Sequence, residues 1–183
     1  MKRIPLLLCV LSLIASCKQA PTAPVEKPAP TEAPPVQKFD YSYVPTSTSW
    51  TRHGTPSHFS ASTGSFSFDH EFGLYDYESG SSFEIVNTVS HDLRRATKAT
   101  LTYTVFCQNV KGDSYVKAYI GSTMLRQTTL SPLVSEVVEI PQVVYKNQPI
   151  AFSLKIFLRR TYPNPTRFTS TVSVTNIQLK ASE

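Results

Sequence analysis

The stretch ATLTYTVFCQN, residues 99–109, alternates apolar and polar side chains for most of its length. The apolar residues at every second position are Leu101, Tyr103, Val105 and Cys107. The intervening residues between Leu101 and Val105, and the one before Leu101, are threonines. Side chains of a β-strand point to opposite faces with a period of two residues. The stretch therefore predicts a strand with one face in a core and one in solvent, which is typical of antiparallel sheets.

Short segments of the same kind continue on both sides of this one. Ser, Thr, Val, Tyr and Phe are abundant from residue 39 onward, and no segment spaces apolar residues for a helix over three turns. Seven or eight strands with turn signals between them predict an all-β, antiparallel β-sandwich. We place the strands at about 66–72, 82–89, 99–109, 115–121, 123–130, 134–140, 150–159 and 168–180.

The last of these strands changes its parity part-way along. Val172 and Val174 share one parity, whereas Ile177 and Leu179 share the other. A bulge adds one residue to a strand and reverses the facing of the residues after it. We therefore predict a bulge near residues 175 and 176 that turns all four aliphatic side chains inward.

The strand order from residue 99 onward resembles the jelly-roll modules of the galactose-binding-like and carbohydrate-binding type. The segments that carry the resemblance are ATLTYTVFCQN, SYVKAYIGSTML, SEVVEIP, IAFSLKIF and VSVTNIQLKA. The closing strand of such modules often reads aliphatic, x, Asp or Asn, aliphatic, x, Leu. The resemblance covers about half of the chain, and it implies a jelly-roll-like sandwich with carbohydrate binding as a function. Many unrelated functions share this architecture.

In such modules, sugars stack on exposed aromatic rings and bond to polar side chains nearby. Two tyrosines share a strand face with Lys117, and the loop RRTYPNPTR, residues 159–167, presents another tyrosine and an asparagine next to two prolines. A loop stiffened by proline loses little entropy on binding. The alternative is that these tyrosines line the core edge and the arginines are solvated charges. The candidate ligand-binding residues are Tyr115, Tyr119, Arg159, Arg160, Tyr162, Asn164 and Arg167.

The first 17 residues combine a basic start with a short apolar run. Residues 4–14 form a run of about ten mostly apolar residues, whereas a membrane-spanning helix takes roughly twenty. Residues 14–17, IASC, resemble the lipobox of bacterial lipoproteins. The resemblance implies that a signal peptide, residues 1–16, is removed and that Cys17 carries acyl chains such as palmitate. Two or more chains suffice for stable anchoring in a membrane.

The segment after the predicted lipidated cysteine is rich in proline. Residues 18–38 contain six prolines among Ala, Thr, Val, Glu and Lys, with no aromatic residue. Such a composition cannot offset the entropy of ordering, so residues 17–38 are predicted to be a disordered tether ahead of a sandwich domain at 39–183. Residue 18 is lysine and not the aspartate that resembles an inner-membrane retention signal. We therefore expect a lipid anchor in the cell envelope, in the outer membrane of a Gram-negative host.

Motifs of catalytic and metal sites are missing from the sequence. There is no GxSxG elbow, glycine-rich phosphate loop, CxxC or HExxH. Residues 90–92, Ser-His-Asp, are direct neighbours that would point to opposite faces of a strand, so we interpret them as a turn. We expect no enzymatic activity, no cofactor and no metal site, with structural calcium left open. Cys107, on the inward parity, is predicted to be a small buried hydrophobe.

Charges are divided unequally along the domain. From Phe39 to Leu93 there are seven acidic side chains and one basic one, a balance of −6. From Arg94 to Glu183 there are twelve basic and four acidic side chains, a balance of +8. If the halves occupy different surfaces, the basic one would attract anionic polymers or protein carboxylates. If the strands of the two halves interleave, these charges mix.

Two functions from different classes fit these observations. The first is a membrane-anchored envelope lipoprotein with a non-catalytic binding module for carbohydrate or envelope polymer. The second is an accessory lipoprotein that docks an envelope or outer-membrane protein through a sheet edge or the loop at 159–167. In both, the membrane is a partner through Cys17. Nucleic acid is excluded because export separates the protein from it.

Overall fold

Segments of alternating side chains pair into two antiparallel sheets that face each other across an apolar core. The computed structural model describes residues 37–73, 80–159 and 167–183. Within these ranges, no helix has the length and apolarity needed to cross a bilayer. The elements are β1 (Asp40–Tyr43), β2 (Trp50–His53), β3 (His58–Ser62), β4 (Ser65–Phe72), β5 (Gly80–Asn87), β6 (Lys98–Gln108), β7 (Lys111–Ile120), β8 (Thr123–Thr129), β9 (Leu133–Glu139), α1 (Gln142–Tyr145), β10 (Phe152–Arg159) and β11 (Phe168–Ser182).

The predicted all-β, antiparallel, jelly-roll-like sandwich is confirmed, but the predicted number of strands is wrong. All eight predicted strands are present with small shifts of their ends, and the described residues contain eleven in total. The three additional strands, β1 to β3, are four or five residues long. The alternation in β1 and β3 extends over only four or five residues and β2 has none, and each of the three is held by pairing with a longer strand.

The two sheets have different orders. Sheet A runs β3-β4-β11-β6-β9, and β1 pairs with the second part of β11. Sheet B runs β2-β5-β10-β7-β8. Strand β11 is the centre of sheet A because it pairs along one side with β6 and along the other with β4 and then β1.

The predicted bulge is present in β11. The pairing of β11 with β6 shifts its register between Thr175 and Gln178. Asn176 lies there in the left-handed region, with φ of 54°, a conformation that Asn tolerates better than most residues. The shift keeps the aliphatic side chains on both sides of the bulge in the core, and these are Val172, Val174, Ile177 and Leu179.

The predicted inward face of β6 lies in the core. Leu101, Tyr103 and Val105 are fully buried, and the threonines between them lie on the outer face of sheet A. Full burial of a large apolar side chain stabilises a fold by about 1.5–3 kcal/mol. Cys107 is also buried, as predicted, and burial raises the pKa of its thiol to about 12. It is therefore a protonated core residue at neutral pH.

The two halves of the domain occupy different sides of the sandwich. Strands β3 and β4 lie at one end of sheet A, and β2 and β5 lie at one end of sheet B. These ends pack on each other, because the Phe68 and Phe83 ring centroids are 4.7 Å apart and those of Trp50 and Phe66 are 5.3 Å apart. The strands of the basic half, β6 to β11, fill the other side. Apart from β1, the described strands of the two halves are therefore grouped at different sides, and they meet where β4 pairs with β11 and β5 pairs with β10.

Candidate functional site

Aromatic and charged side chains cover the outer face of sheet B. On β7, Tyr115, Lys117 and Tyr119 point outward, and the residues between them are buried. The predicted sharing of one face by these three residues is therefore confirmed. We use the name platform for the half-buried outward side chains of Glu84 on β5, Tyr115, Lys117 and Tyr119 on β7, and Lys155 and Phe157 on β10.

The register of three strands brings the platform together. Strand β10 lies between β5 and β7, so its outward residues have a neighbour on each side. Phe157 lies opposite Tyr115 on β7. Their rings stack with centroids 5.0 Å apart and an interplanar angle of 20°. Such an offset pair adds about 0.5–1.5 kcal/mol to the burial of its area, so both rings are held in place before any ligand arrives.

A glycine allows the Phe157 ring to lie where it does. Gly80 begins β5 and pairs with Arg159, two residues beyond Phe157. A Cβ atom built on Gly80 would overlap the ring of Phe157. Any larger residue at position 80 would therefore push this ring away from its position against Tyr115.

Two lysines contact the tyrosine rings, Lys117 within β7 and Lys155 from the neighbouring strand β10. The Lys117 ammonium lies 4.8 Å from the centroid of the Tyr115 ring, and the Lys155 ammonium lies 5.2 Å from that of Tyr119. Each contact is a cation–π interaction, which contributes about 0.5–1 kcal/mol at an exposed site. The lysines also lie directly opposite each other on β7 and β10. The platform therefore has two ammonium groups between aromatic rings.

The acidic groups near the platform are each paired with a cation. Glu84 accepts an ion-pair contact from Lys155 at 3.3 Å and a hydrogen bond from the Ser153 hydroxyl at 3.1 Å. Arg159 and Asp113, on the same face beyond the stacked rings, form an ion pair at 2.9 Å. In the part of the chain that the structure describes, no carboxylate lies within 4.0 Å of the Lys117 ammonium.

The candidate residues from the loop at 159–167 are only partly placed. Arg159 is on the platform's face, but its guanidinium is engaged by Asp113. Arg167 is next to β11 in sheet A, with its guanidinium 3.9 Å from the Glu71 carboxylate, so it is not part of the platform. Arg160, Tyr162, Asn164 and the proposed lipidation site Cys17 lie outside the described residues, and their roles stay predictions.

Sequence reasoning missed the platform's second strand. Lys155 and Phe157 alternate with buried Leu154 and Ile156, so their outward facing was readable from the parity of β10. Their position beside Tyr115 was not readable, because the pairing of β10 with β7 is not local in sequence. The same holds for Glu84, which joins the platform only through the pairing of β5 with β10.

A second polar cluster surrounds His91, which is only 1% exposed. The predicted turn at 90–92 is wrong, because His91 forms an isolated antiparallel bridge with Ile150. The Tyr41 hydroxyl lies 2.8 Å from Nδ1 of His91, and Oδ1 of Asn87 lies 3.2 Å from its Nε2. Because Oδ1 also accepts the Val89 N–H, it is an acceptor. Nε2 therefore carries the proton, and Nδ1 accepts from Tyr41.

Burial keeps this imidazole neutral and gives it a structural role. Desolvation lowers the pKa of His91 to about 4. The adjacent carboxylate, Asp92, is held by Arg94 at 2.6 Å, and that pairing lowers its pKa to about 2. Tyr43 also packs on the imidazole, with ring centroids 4.3 Å apart. His91 therefore fastens β1, which carries both tyrosines, to the interior of the sandwich.

No family model matches the sequence, and no curated protein matches it significantly. Among solved structures, a carbohydrate-binding module in complex with β-1,4-galactotriose is 8% identical, with a TM-score of 0.42 over 73% of this chain and 89% of that one. A low-affinity xylan-binding module from Roseburia intestinalis is 11% identical, with a TM-score of 0.42 over 79% and 96%. The VP2 subviral particle of infectious bursal disease virus is 10% identical, with a TM-score of 0.35 over 86% and 42%. At these identities and TM-scores, no ligand transfers from these proteins to this chain.

Proposed function

We propose that the domain is a non-catalytic glycan-binding module and that the platform is its binding surface. The observation that carries this proposal is the stacked pair of Tyr115 and Phe157, which stands with Tyr119 on the outer face of a sheet. Outward rings on a sheet contribute little to the core. They instead offer flat apolar surfaces next to polar groups. Sugars have a matching pattern, because their rings have apolar faces and are surrounded by hydroxyl groups.

The polar groups of the platform can both donate hydrogen bonds to sugar hydroxyl groups and accept hydrogen bonds from them. Glu84 can accept hydrogen bonds, lysine ammonium groups can donate them, and tyrosine hydroxyls can do either. Tyr115 and Tyr119 are four residues apart on one strand, a distance of about 13 Å. This length exceeds one sugar ring, so the platform suits a segment of a polysaccharide. Because the rings are already held by neighbours, binding would cost little side-chain entropy.

The placement of the acids supports binding without hydrolysis. Glycoside hydrolysis uses two carboxylic groups that face each other within about 10 Å across the bond to be cleaved. Glu84 and Asp113 lie two strands apart and about four residues apart along them, a separation of about 16 Å between backbones. Each is also paired with a cation. They therefore do not form the pair of acids that a glycosidase needs.

Binding to a panel of glycans tests this function. Soluble protein of residues 18–183 would be used, which contains the whole core cluster of the described residues. Tyr115→Ala and Phe157→Ala should each weaken binding at least several-fold. Phe106→Ala is the matched control, because it removes an outward ring, 41% exposed, from sheet A instead of sheet B. Equal binding by all three variants would reject the platform as the site.

The proposed setting of the module is the cell envelope, with a lipid on Cys17 and the proline-rich tether before the domain. This part is supported by the sequence of residues 1–38. Metabolic labelling with a palmitate analogue should mark the wild-type protein and not Cys17→Ser. Fractionation should place the labelled protein in a membrane, and label on both proteins would contradict lipidation at this cysteine.

A second function, docking of a protein partner, is favoured by one observation. Phe106 of β6 lies opposite Leu133 of the edge strand β9, and Val137 follows on the same outer face. These side chains are 41%, 64% and 71% exposed. Apolar side chains grouped on a sheet surface are typical of interaction sites. This function would be favoured if the wild-type protein recovered a partner from envelope extracts, Leu133→Ser did not, and neither protein bound a glycan.

A further inference from the structure

We infer that the glycan bound by the platform is anionic and that its carboxylate or sulfate groups contact Lys117. This inference rests on the proposed function and adds the class of ligand. It starts from the balance of charges on the outer face of sheet B. Lys155 is offset by Glu84 and Arg159 by Asp113, whereas Lys117 has no such partner in the ranges that the structure describes.

The surroundings of Lys117 favour an anion in place of that missing partner. Its cross-strand neighbours are Lys155 on one side and Gln127 on the other. Like charges directly opposite each other in a sheet are destabilising. Because Glu84 already offsets Lys155, an anion on this face would make its charge-assisted contact with Lys117, with the Gln127 amide as a further donor. A neutral sugar would gain no such contact.

The charge of the strands that carry the platform also favours an anionic ligand. Strands β7, β8 and β10 belong to the half of the chain from Arg94 to Glu183, whose formal balance is +8. Within the described strands of the other half, the acidic residues are Asp69 and Glu71 on β4, in sheet A, and Glu84 on β5, which is paired with Lys155, apart from Asp40 on β1. A basic surface raises the local concentration of anionic ligands and speeds their approach. Among the described residues, Lys117 is therefore a cation without a carboxylate within 4.0 Å, and tyrosine rings lie on both sides of it along the strand.

The experiment compares polymers that differ only in charge. Polygalacturonate would be tested beside its methyl ester, and dextran sulfate beside dextran, by affinity electrophoresis at two salt concentrations. We expect the anionic member of one pair to bind more tightly and to lose affinity as salt rises. The pair that shows this difference distinguishes a carboxylate from a sulfate ligand.

Variants separate a specific contact from general attraction. Lys117→Gln should weaken binding of the anionic polymer about threefold to fivefold, as expected for one exposed ion pair, and Lys117→Arg should retain most of it. Lys180→Gln is the matched control, because Lys180 is exposed on the outer face of sheet A and the variant makes the same change in net charge. Its affinity should stay within about twofold of wild type.

The outcomes distinguish failure of this inference from failure of the proposed function. Equal weakening by Lys117→Gln and Lys180→Gln would overturn the inference, because the attraction would be non-specific. Binding of neutral glycans that depends on Tyr115, without preference for an anionic polymer, would overturn the inference and leave the proposed function standing. Binding of no polymer and no glycan would overturn both.

Discussion

Acidification should weaken the fold through His91. In the folded domain the neutral imidazole donates to Asn87 and accepts from Tyr41. Added protons would place a charge among buried rings, including Tyr43 at 4.3 Å and Phe152 at 6.0 Å between centroids. No acidic side chain is among these contacts. The folded state therefore resists protonation, and the unfolded state does not.

The size of the effect follows from the two pKa values of His91, 6.5 as the ordinary value and about 4 in the folded protein. Because the folded pKa is the lower one, the stabilising contribution is fully present above pH 6.5 and is lost as the pH falls. Linkage gives a loss in the free energy of unfolding of about 3 kcal/mol by pH 4, with roughly half of it by pH 5.3. Below pH 4 this group adds little further change.

Urea denaturation between pH 7.5 and pH 4 measures this loss, with His91→Gln as the comparison. The variant lacks the titrating group, so its stability should fall less over this range by about 3 kcal/mol. Carboxylates contribute equally to both proteins and cancel in the difference. His58→Gln is the control, because His58 is exposed on the edge strand β3 and its replacement should leave the wild-type profile unchanged. Parallel profiles for wild type and His91→Gln would refute the reasoning.

Two further predictions concern the glycine under the platform and the buried thiol. Gly80→Ala should lower the free energy of unfolding by about 1–3 kcal/mol, since the added Cβ displaces the Phe157 ring. The same variant should weaken glycan binding in calorimetry, and unchanged affinity would show that the ring's position does not matter. Burial raises the pKa of Cys107 to about 12, so dithionitrobenzoate at pH 8 should label the protein of residues 18–183, whose one cysteine is Cys107, slowly in water and rapidly in urea. Fast labelling of the folded protein would contradict its place in the core.

The parts of the fold that could be predicted are those that depend on the alternation of apolar and polar residues within one strand. Alternation in β6 fixes which face is buried, and the change of parity in β11 is enough to place its bulge. Strands β1 to β3 were missed because the alternation in β1 and β3 is too short, at four or five residues, to distinguish a strand from a loop, and β2 does not alternate. β1, for example, is a strand because Tyr41 and Tyr43 pair with residues 181 and 179 of β11, far away in sequence.

The same limit applies to the candidate site. Sharing of a face by Tyr115, Lys117 and Tyr119 follows from a period of two, and it was predicted. The stacking of Tyr115 on Phe157 depends on the register between β7 and β10, which packing of the two sheets sets. A register one residue away would point Phe157 into the core. Sequence alone could therefore supply the members of the platform on one strand and not their partners.

The two polar clusters are separated in the fold, and this separation makes stability and binding independent at neutral pH. His91 fastens β1, the strand in sheet A through which the chain enters the domain, whereas the platform is on the outer face of sheet B. Replacing His91 removes hydrogen bonds from the cluster that holds β1 and changes no residue of the platform. His91→Gln should therefore lower the midpoint of urea unfolding at pH 7.5 while leaving glycan affinity unchanged, and a matched loss of affinity would show that β1 and the platform are coupled.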